Sequence, residues 1–146
     1  MKKETDSVIW MGAGQIGLAI VRRIASGKKI IIGDKSMAHA QAAADLLNTT
    51  GFDAVAMEAD LSSRESILSV IAEAQKYGNI RYLVNAAGVS PSQASVETIL
   101  KVDLYGTAVL LEEVGKVIAE GGSGVTISSQ SGYRMPALTP EEDMLL

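Results

Sequence analysis

Apolar residues fall into two kinds of run that alternate along the chain. Short bounded runs at 8–11, 29–33, 54–59, 81–84 and 125–128 have strand length. Between them stand longer stretches with helical spacing: LAIVRRIASG from Leu18, then 37 to about 50, 64 to about 77, and 96–119. The punctuation agrees with this division. Gly27 fits a helix end, Ser36 a helix start, and Gly51 and Gly78 close the next two helices. Ser62-Ser63-Arg64-Glu65 reads as a capping box, with Glu three residues after Ser62. Gly121-Gly122 reads as the break before the last strand. Strands that alternate with helices of about a dozen residues need parallel crossovers. The pattern therefore predicts an α/β fold: one domain over 1–146, a doubly wound Rossmann-type parallel sheet of order 3-2-1-4-5 in a three-layer α/β/α arrangement. The 96–119 stretch is apolar on more than one side. It reads equally as a buried crossover helix or as a helix with a second face on a partner subunit.

The first strand runs directly into chemistry. SVIWM is followed by Gly12-Ala13-Gly14-Gln15-Ile16-Gly17, a Gly-x-Gly-x-x-Gly turn, and then by a helix. Gly12 permits the tight turn, and Gly14, without a Cβ, lets backbone N–H groups approach a pyrophosphate. Gly17 lets the helix pack closely on the strand. The unpaired N–H groups and the dipole at the helix start favour phosphate charge. Asp34 stands twenty residues after Gly14, at the end of the second strand. There a carboxylate accepts hydrogen bonds from an adenosine ribose. Gly12 to Gly17, Asp34, Asp60 and Asn85 to Gly88 all fall at the carboxyl ends of strands, where such sheets bind ligands.

Composition narrows the alternatives. With 47% hydrophobic and 21% charged residues the chain is that of a folded globular domain. Its net charge of −4 gives no basic footprint for nucleic acid. The chain has no cysteine, which excludes disulfides and thiolate metal sites and suits a reducing compartment, the cytoplasm. His39 is the single histidine and reads as a solvated helix residue, so no metal site is expected. The apolar stretch behind MKKETDS is broken by glycines and stopped by Arg22-Arg23, too short to span a membrane or direct export.

Taken together, Gly12 to Gly17, Asp60-Leu61, Asn85-Ala86-Ala87-Gly88, Asp103-Leu104-Tyr105-Gly106 and Ile127-Ser128-Ser129 resemble the short-chain dehydrogenase/reductase family. The resemblance implies an oxidoreductase that moves hydride between a nicotinamide cofactor and a small carbonyl or alcohol substrate. It implies that Asp60 and Leu61 flank the adenine and that Asn85, Ala86, Ala87 and Gly88 line the cofactor trough. Ser129 would polarise the substrate oxygen, and Asp103 stands where the family has a helix asparagine. Asp34 selects NAD over NADP by repelling a 2′-phosphate, although the adjacent Lys35 can soften that repulsion.

Three departures accompany the resemblance. The glycine turn is one residue shorter than the family's Gly-x-x-x-Gly-x-Gly, with Met11 where Thr is common. Asp103 replaces asparagine. The family's Tyr-x-x-x-Lys acid–base pair has no counterpart: four residues after Tyr77, Tyr82, Tyr105 and Tyr133 stand Arg81, Ala86, Val109 and Ala137. Tyrosine alone, with a pKa of about 10, is poorly matched to neutral pH. Thr139-Pro140-Glu141-Glu142 announces a helix that has few residues left to it, so the sequence reads as cut from a longer chain. The expectation is a dinucleotide-binding domain without appreciable turnover, self-associating through helix 96–119, the edge of strand 125–128, or both. The alternatives are a non-catalytic nucleotide-binding regulatory or interaction module, and a methyltransferase using S-adenosylmethionine, against which the Asn-Ala-Ala-Gly and Ile-Ser-Ser segments speak.

Overall fold

A computed structural model describes residues 5–145. Strands β1 (Ser7–Met11), β2 (Lys29–Asp34), β3 (Asp53–Glu58), β4 (Ile80–Asn85) and β5 (Ile118–Thr126) form one parallel sheet. The order is β3-β2-β1-β4-β5, as the alternation of runs predicts. Every residue of β1 is buried, which is why Val8 to Met11 form a continuous apolar run instead of alternating. Successive side chains still point to opposite faces. Ile9 and Met11 join Ile31 and Leu83 in one core layer, beneath α3 (Arg64–Gln75) and α5 (Thr107–Gly115). Val8 and Trp10 join Ile30 and Ile32 in the other, beneath α1 (Gln15–Ile24) and α2 (Met37–Thr49).

Local chemistry sets the helix starts, with one correction. The Ser36 hydroxyl accepts from the His39 N–H and begins α2. At α3, Ser63 is the cap and accepts from the Ser66 N–H, so the Ser62–Glu65 box does not form. Ser62 is drawn away because its N–H and hydroxyl both donate to Asp60. Two short helices follow β5, α6 (Gln130–Arg134) and α7 (Pro140–Asp143), the latter opened by the Thr139–Glu142 capping box.

The segment read as one helix over 96–119 is the largest departure. It is built of α4 (Val96–Ile99), a π-helical stretch over Leu100–Gly106, and α5, which ends at Gly115. Ile118 and Ala119 already belong to β5. The apolar spacing ran on through Val117 and Ile118 and concealed the stop. Gly121 and Gly122 do not precede the last strand. They form an irregularity within it, where Ile80 pairs with Ile118 and Tyr82 with Ser123. Gly121 takes φ +74°, and a Cβ on Gly122 would lie 2.8 Å from the Arg81 carbonyl oxygen. The strand then ends at Thr126, so Ile127 and Ser128 lie beyond it.

Candidate functional site

The carboxyl ends of the strands frame two adjoining cavities that share Ala86, Ala87, Gly88 and Val89. The first, of about 330 Å³, lies over β1 and β2 and is lined by Gly12, Ala13, Gly14, Asp34, Lys35, His39 and Leu61, among others. The second, of about 590 Å³, lies over β4 and β5 and takes in Asp103, Thr107, Thr126 and Ser129. Together they make a trough across the switch point of the sheet, where β1 is flanked by β2 and β4.

The glycine turn is fixed from below and open above. Gly12 adopts φ +83°, and a Cβ there would sit 2.5 Å from the Ala87 Cα, so the turn lies directly on the segment after β4. Gly17 abuts the Trp10 indole, where a Cβ would collide with Nε1. A Cβ on Gly14, by contrast, would meet no atom of the described residues within 4 Å. Gly14 caps α1 with extended backbone, and the first turn's bonding begins with the Leu18 N–H donating to the Gly14 carbonyl. The N–H groups of Gln15, Ile16 and Gly17 therefore have no helical acceptor. That is the donor set a phosphate requires, and the space over Gly14 admits it. The side chains of Gln15 and Ile16 point elsewhere, into a shallow depression with Ala19, Ile20 and Arg23.

Asp34 is placed by both ends of its carboxylate. Oδ2 accepts from the Ala13 N–H at 2.8 Å and Oδ1 from the Ser36 N–H at 2.8 Å. It thus ties the glycine turn to the β2–α2 corner while each oxygen keeps a lone pair for a ligand hydroxyl. Asp60 is held more tightly by its own corner than its proposed adenine contact supposes. Oδ1 accepts from the Ser62 hydroxyl at 2.6 Å and the Ser62 N–H at 2.9 Å, and Lys35 Nζ stands 3.7 Å from Oδ2. The Ser62 hydrogen bonds, with Lys35 helping, hold the Asp60 carboxyl below its ordinary range. Leu61 is buried and lines the first cavity, and its carbonyl leaves room only for hydrogen at Gly106.

Asn85 is completely buried and works from beneath the trough. Its Nδ2 donates to the Thr107 hydroxyl at 3.4 Å, and its Oδ1 accepts from the Ala87 N–H at 3.3 Å. In the second cavity, Asp103 Oδ1 accepts from the Val89 N–H at 3.0 Å. Asp103 is carried by the π-helical stretch, a feature that recurs at functional sites. Ser129 caps α6, its hydroxyl accepting from the Ser131 N–H at 3.1 Å. Nearby, the buried Thr126 hydroxyl has no partner among the described residues. Tyr133 is 94% exposed.

Among the lining residues that the sequence pattern does not single out are His39, Val89, Thr107 and Thr126. His39 is solvated, as its setting implied, but it also lines the first cavity beside Asp34. Its place in the first turn after the Ser36 cap was the available signal, since that turn starts at a strand's carboxyl end. Thr126 carries no such signal, since a threonine within a short strand run is ordinary.

The profile of the short chain dehydrogenases matches residues 7–140. The chain belongs to that family. Short-chain dehydrogenase/reductase bsc3 of Alternaria brassicicola is 38% identical over 135 residues, covering 92% of this chain and 49% of that protein. A short-chain dehydrogenase/reductase from Serratia marcescens superposes with a TM-score of 0.76 at 26% identity, over 94% of this chain and 60% of its own. One from Burkholderia phymatum, solved in complex with NAD, gives 0.79 at 19% identity, over 93% and 53%. The chain spans about half the length of the curated relatives it matches. Short-chain dehydrogenases use NAD(P), and the trough presents backbone N–H donors, open space above Gly14 and the Asp34 carboxylate.

Proposed function

We propose that this chain is a single dinucleotide-binding domain that holds NAD(H) along the trough for a short-chain dehydrogenase-type oxidation or reduction of a small carbonyl or alcohol. The observation that carries this reading is Asp34, locked by two backbone N–H groups between the glycine turn and α2 while still facing the cavity. Gly12, Gly14 and the free N–H groups of Gln15, Ile16 and Gly17 hold the pyrophosphate. Asp34 receives the adenosine ribose, and Lys35, Asp60 and Leu61 shape the adenine end. Asn85, through its grip on Ala87, keeps Ala86, Ala87 and Gly88 in place as the floor of the trough. A bound nicotinamide gives or takes the hydride. Ser129 orients the substrate oxygen in the second cavity, and Asp103 fixes the nearby Val89 turn.

Asp34 favours NAD over NADP. A 2′-phosphate about 4 Å from the carboxylate would cost on the order of 4 kcal/mol per charge pair at an effective dielectric near 20. The test is calorimetric titration with both cofactors, on the native chain and on Asp34→Asn. NAD should bind the native chain more tightly, and the variant should lose most of that preference. Tighter NADP binding by the native chain, or an unchanged preference in the variant, overturns the assignment.

A second reading, a nucleotide-binding regulatory or interaction module, is favoured by one observation. Tyr133, nearest Ser129 in sequence, has no lysine four residues on and stands almost wholly in solvent. Cofactor binding without turnover over a panel of alcohols and ketones supports it. Sustained hydride transfer supports the first reading.

A further inference from the structure

We propose, building on the dinucleotide reading above, that His39 is a specificity-determining residue whose protonation shifts the site from NAD toward NADP. His39 Nδ1 lies 4.0 Å from Asp34 Oδ1, and both side chains line the first cavity. The placement is built in: the Ser36 hydroxyl that starts α2 accepts from the His39 N–H at 3.3 Å. The imidazole therefore stands beside the carboxylate that receives the ribose.

The neighbouring charges are less free to respond. Asp34 cannot swing aside to admit a phosphate without giving up its bonds to the Ala13 and Ser36 N–H groups. Lys35 is shared with Asp60, at 3.7 Å. Glu58, paired in register with Asp34 on β3, adds a second carboxylate. The glycine turn opposite brings no charged side chain. Histidine is the side chain type whose charge ordinarily changes between pH 5 and 8. As a neutral ring, His39 leaves Asp34 free to repel a 2′-phosphate. As an imidazolium it offsets the carboxylate and offers the phosphate an N–H donor, in concert with the Lys35 ammonium. Binding NADP near neutral pH then draws a proton onto the protein, whereas binding NAD does not.

The experiment measures NAD and NADP dissociation constants by calorimetry at pH 6.5 and 8.5, on the full chain and on His39→Gln. The 2′-phosphate takes up a proton of its own near pH 6, and the variant separates that contribution from the histidine's. In the native chain the affinity for NADP relative to NAD should rise about tenfold on going from pH 8.5 to 6.5, the scale of one partly screened charge. In His39→Gln the ratio should move less than about threefold on the same footing. Titrations at pH 7.5 in buffers of different ionisation enthalpy should show proton uptake with NADP for the native chain and a smaller uptake for the variant. A pH-independent ratio in the native chain, or a variant that tracks it, overturns the role of His39 while leaving the dinucleotide site intact. Failure of the native chain to bind NAD at either pH overturns the site itself.

Discussion

At the scale of single residues, the glycine turn separates folding from binding. Gly12 is required by the fold: its φ of +83° and the 2.5 Å approach of Ala87 leave no place for a side chain. Gly12→Ala should lose about 2 kcal/mol or more of stability, seen as an earlier denaturant midpoint. Gly14 has ordinary extended backbone and open space where its Cβ would be. Gly14→Ala should cost at most about 1 kcal/mol of stability yet weaken NAD binding at least about tenfold, because the methyl takes the space the pyrophosphate needs. Equal stability losses in the two variants, or unchanged NAD affinity in the second, would contradict this division. The turn was legible in the sequence because glycine spacing records backbone geometry directly. What the sequence did not show is that Asp34 also braces the turn, through Ala13. A hydrogen bond between residues 21 positions apart leaves no local pattern.

At the scale of elements, corners are held by polar side chains and strands by apolar ones. The β3–α3 corner turns on Asp60, which gathers Ser62 and Lys35 and donates its own N–H to the Ser66 hydroxyl at 2.9 Å. The folded Asp60 carboxyl lies below its ordinary value of 3.8. Its ionised form therefore favours the folded state above that value, and the contribution fades as the pH falls through the lower folded value. Asp60→Asn should destabilise the chain modestly at pH 7, and urea unfolding should show the gap narrowing as the pH falls below 3.8. A gap that persists or widens in acid would show that the carboxylate charge is not what matters. The first four strands and the first three helices were readable because each is bounded by glycine or a capping serine. The segment from Val96 to Gly115 was not, since the π-helical stretch shifts the apolar phase midway. The helix–strand junction at Val117 and Ile118 lies inside one continuous apolar run.

At the scale of the whole molecule, the same segment and β5 present surfaces that invite a partner. Val96, Leu100, Leu104, Tyr105 and Leu111 are all substantially exposed, and among the described residues β5 pairs only with β4. A self-association burying about 800 Å² per subunit over this helical face is of ordinary interface size. Sedimentation velocity at micromolar concentration should show a species of twice 15.3 kDa, and Leu104→Glu should return it toward the monomer. A native monomer contradicts the expectation, while an assembly untouched by Leu104→Glu points to the β5 edge instead. The sheet order followed from alternation alone, but the meeting of the glycine turn, Asp34 and the post-β4 segment in one trough depends on all five strands closing in register. That meeting is the central claim, and amide chemical shifts during titration with NAD test it most directly. The largest changes should fall on Gly12 to Gly17, on Asp34 to Ser36 and on Ala86 to Val89, all saturating together. Shifts confined to other surfaces, or none at millimolar NAD, would contradict the account.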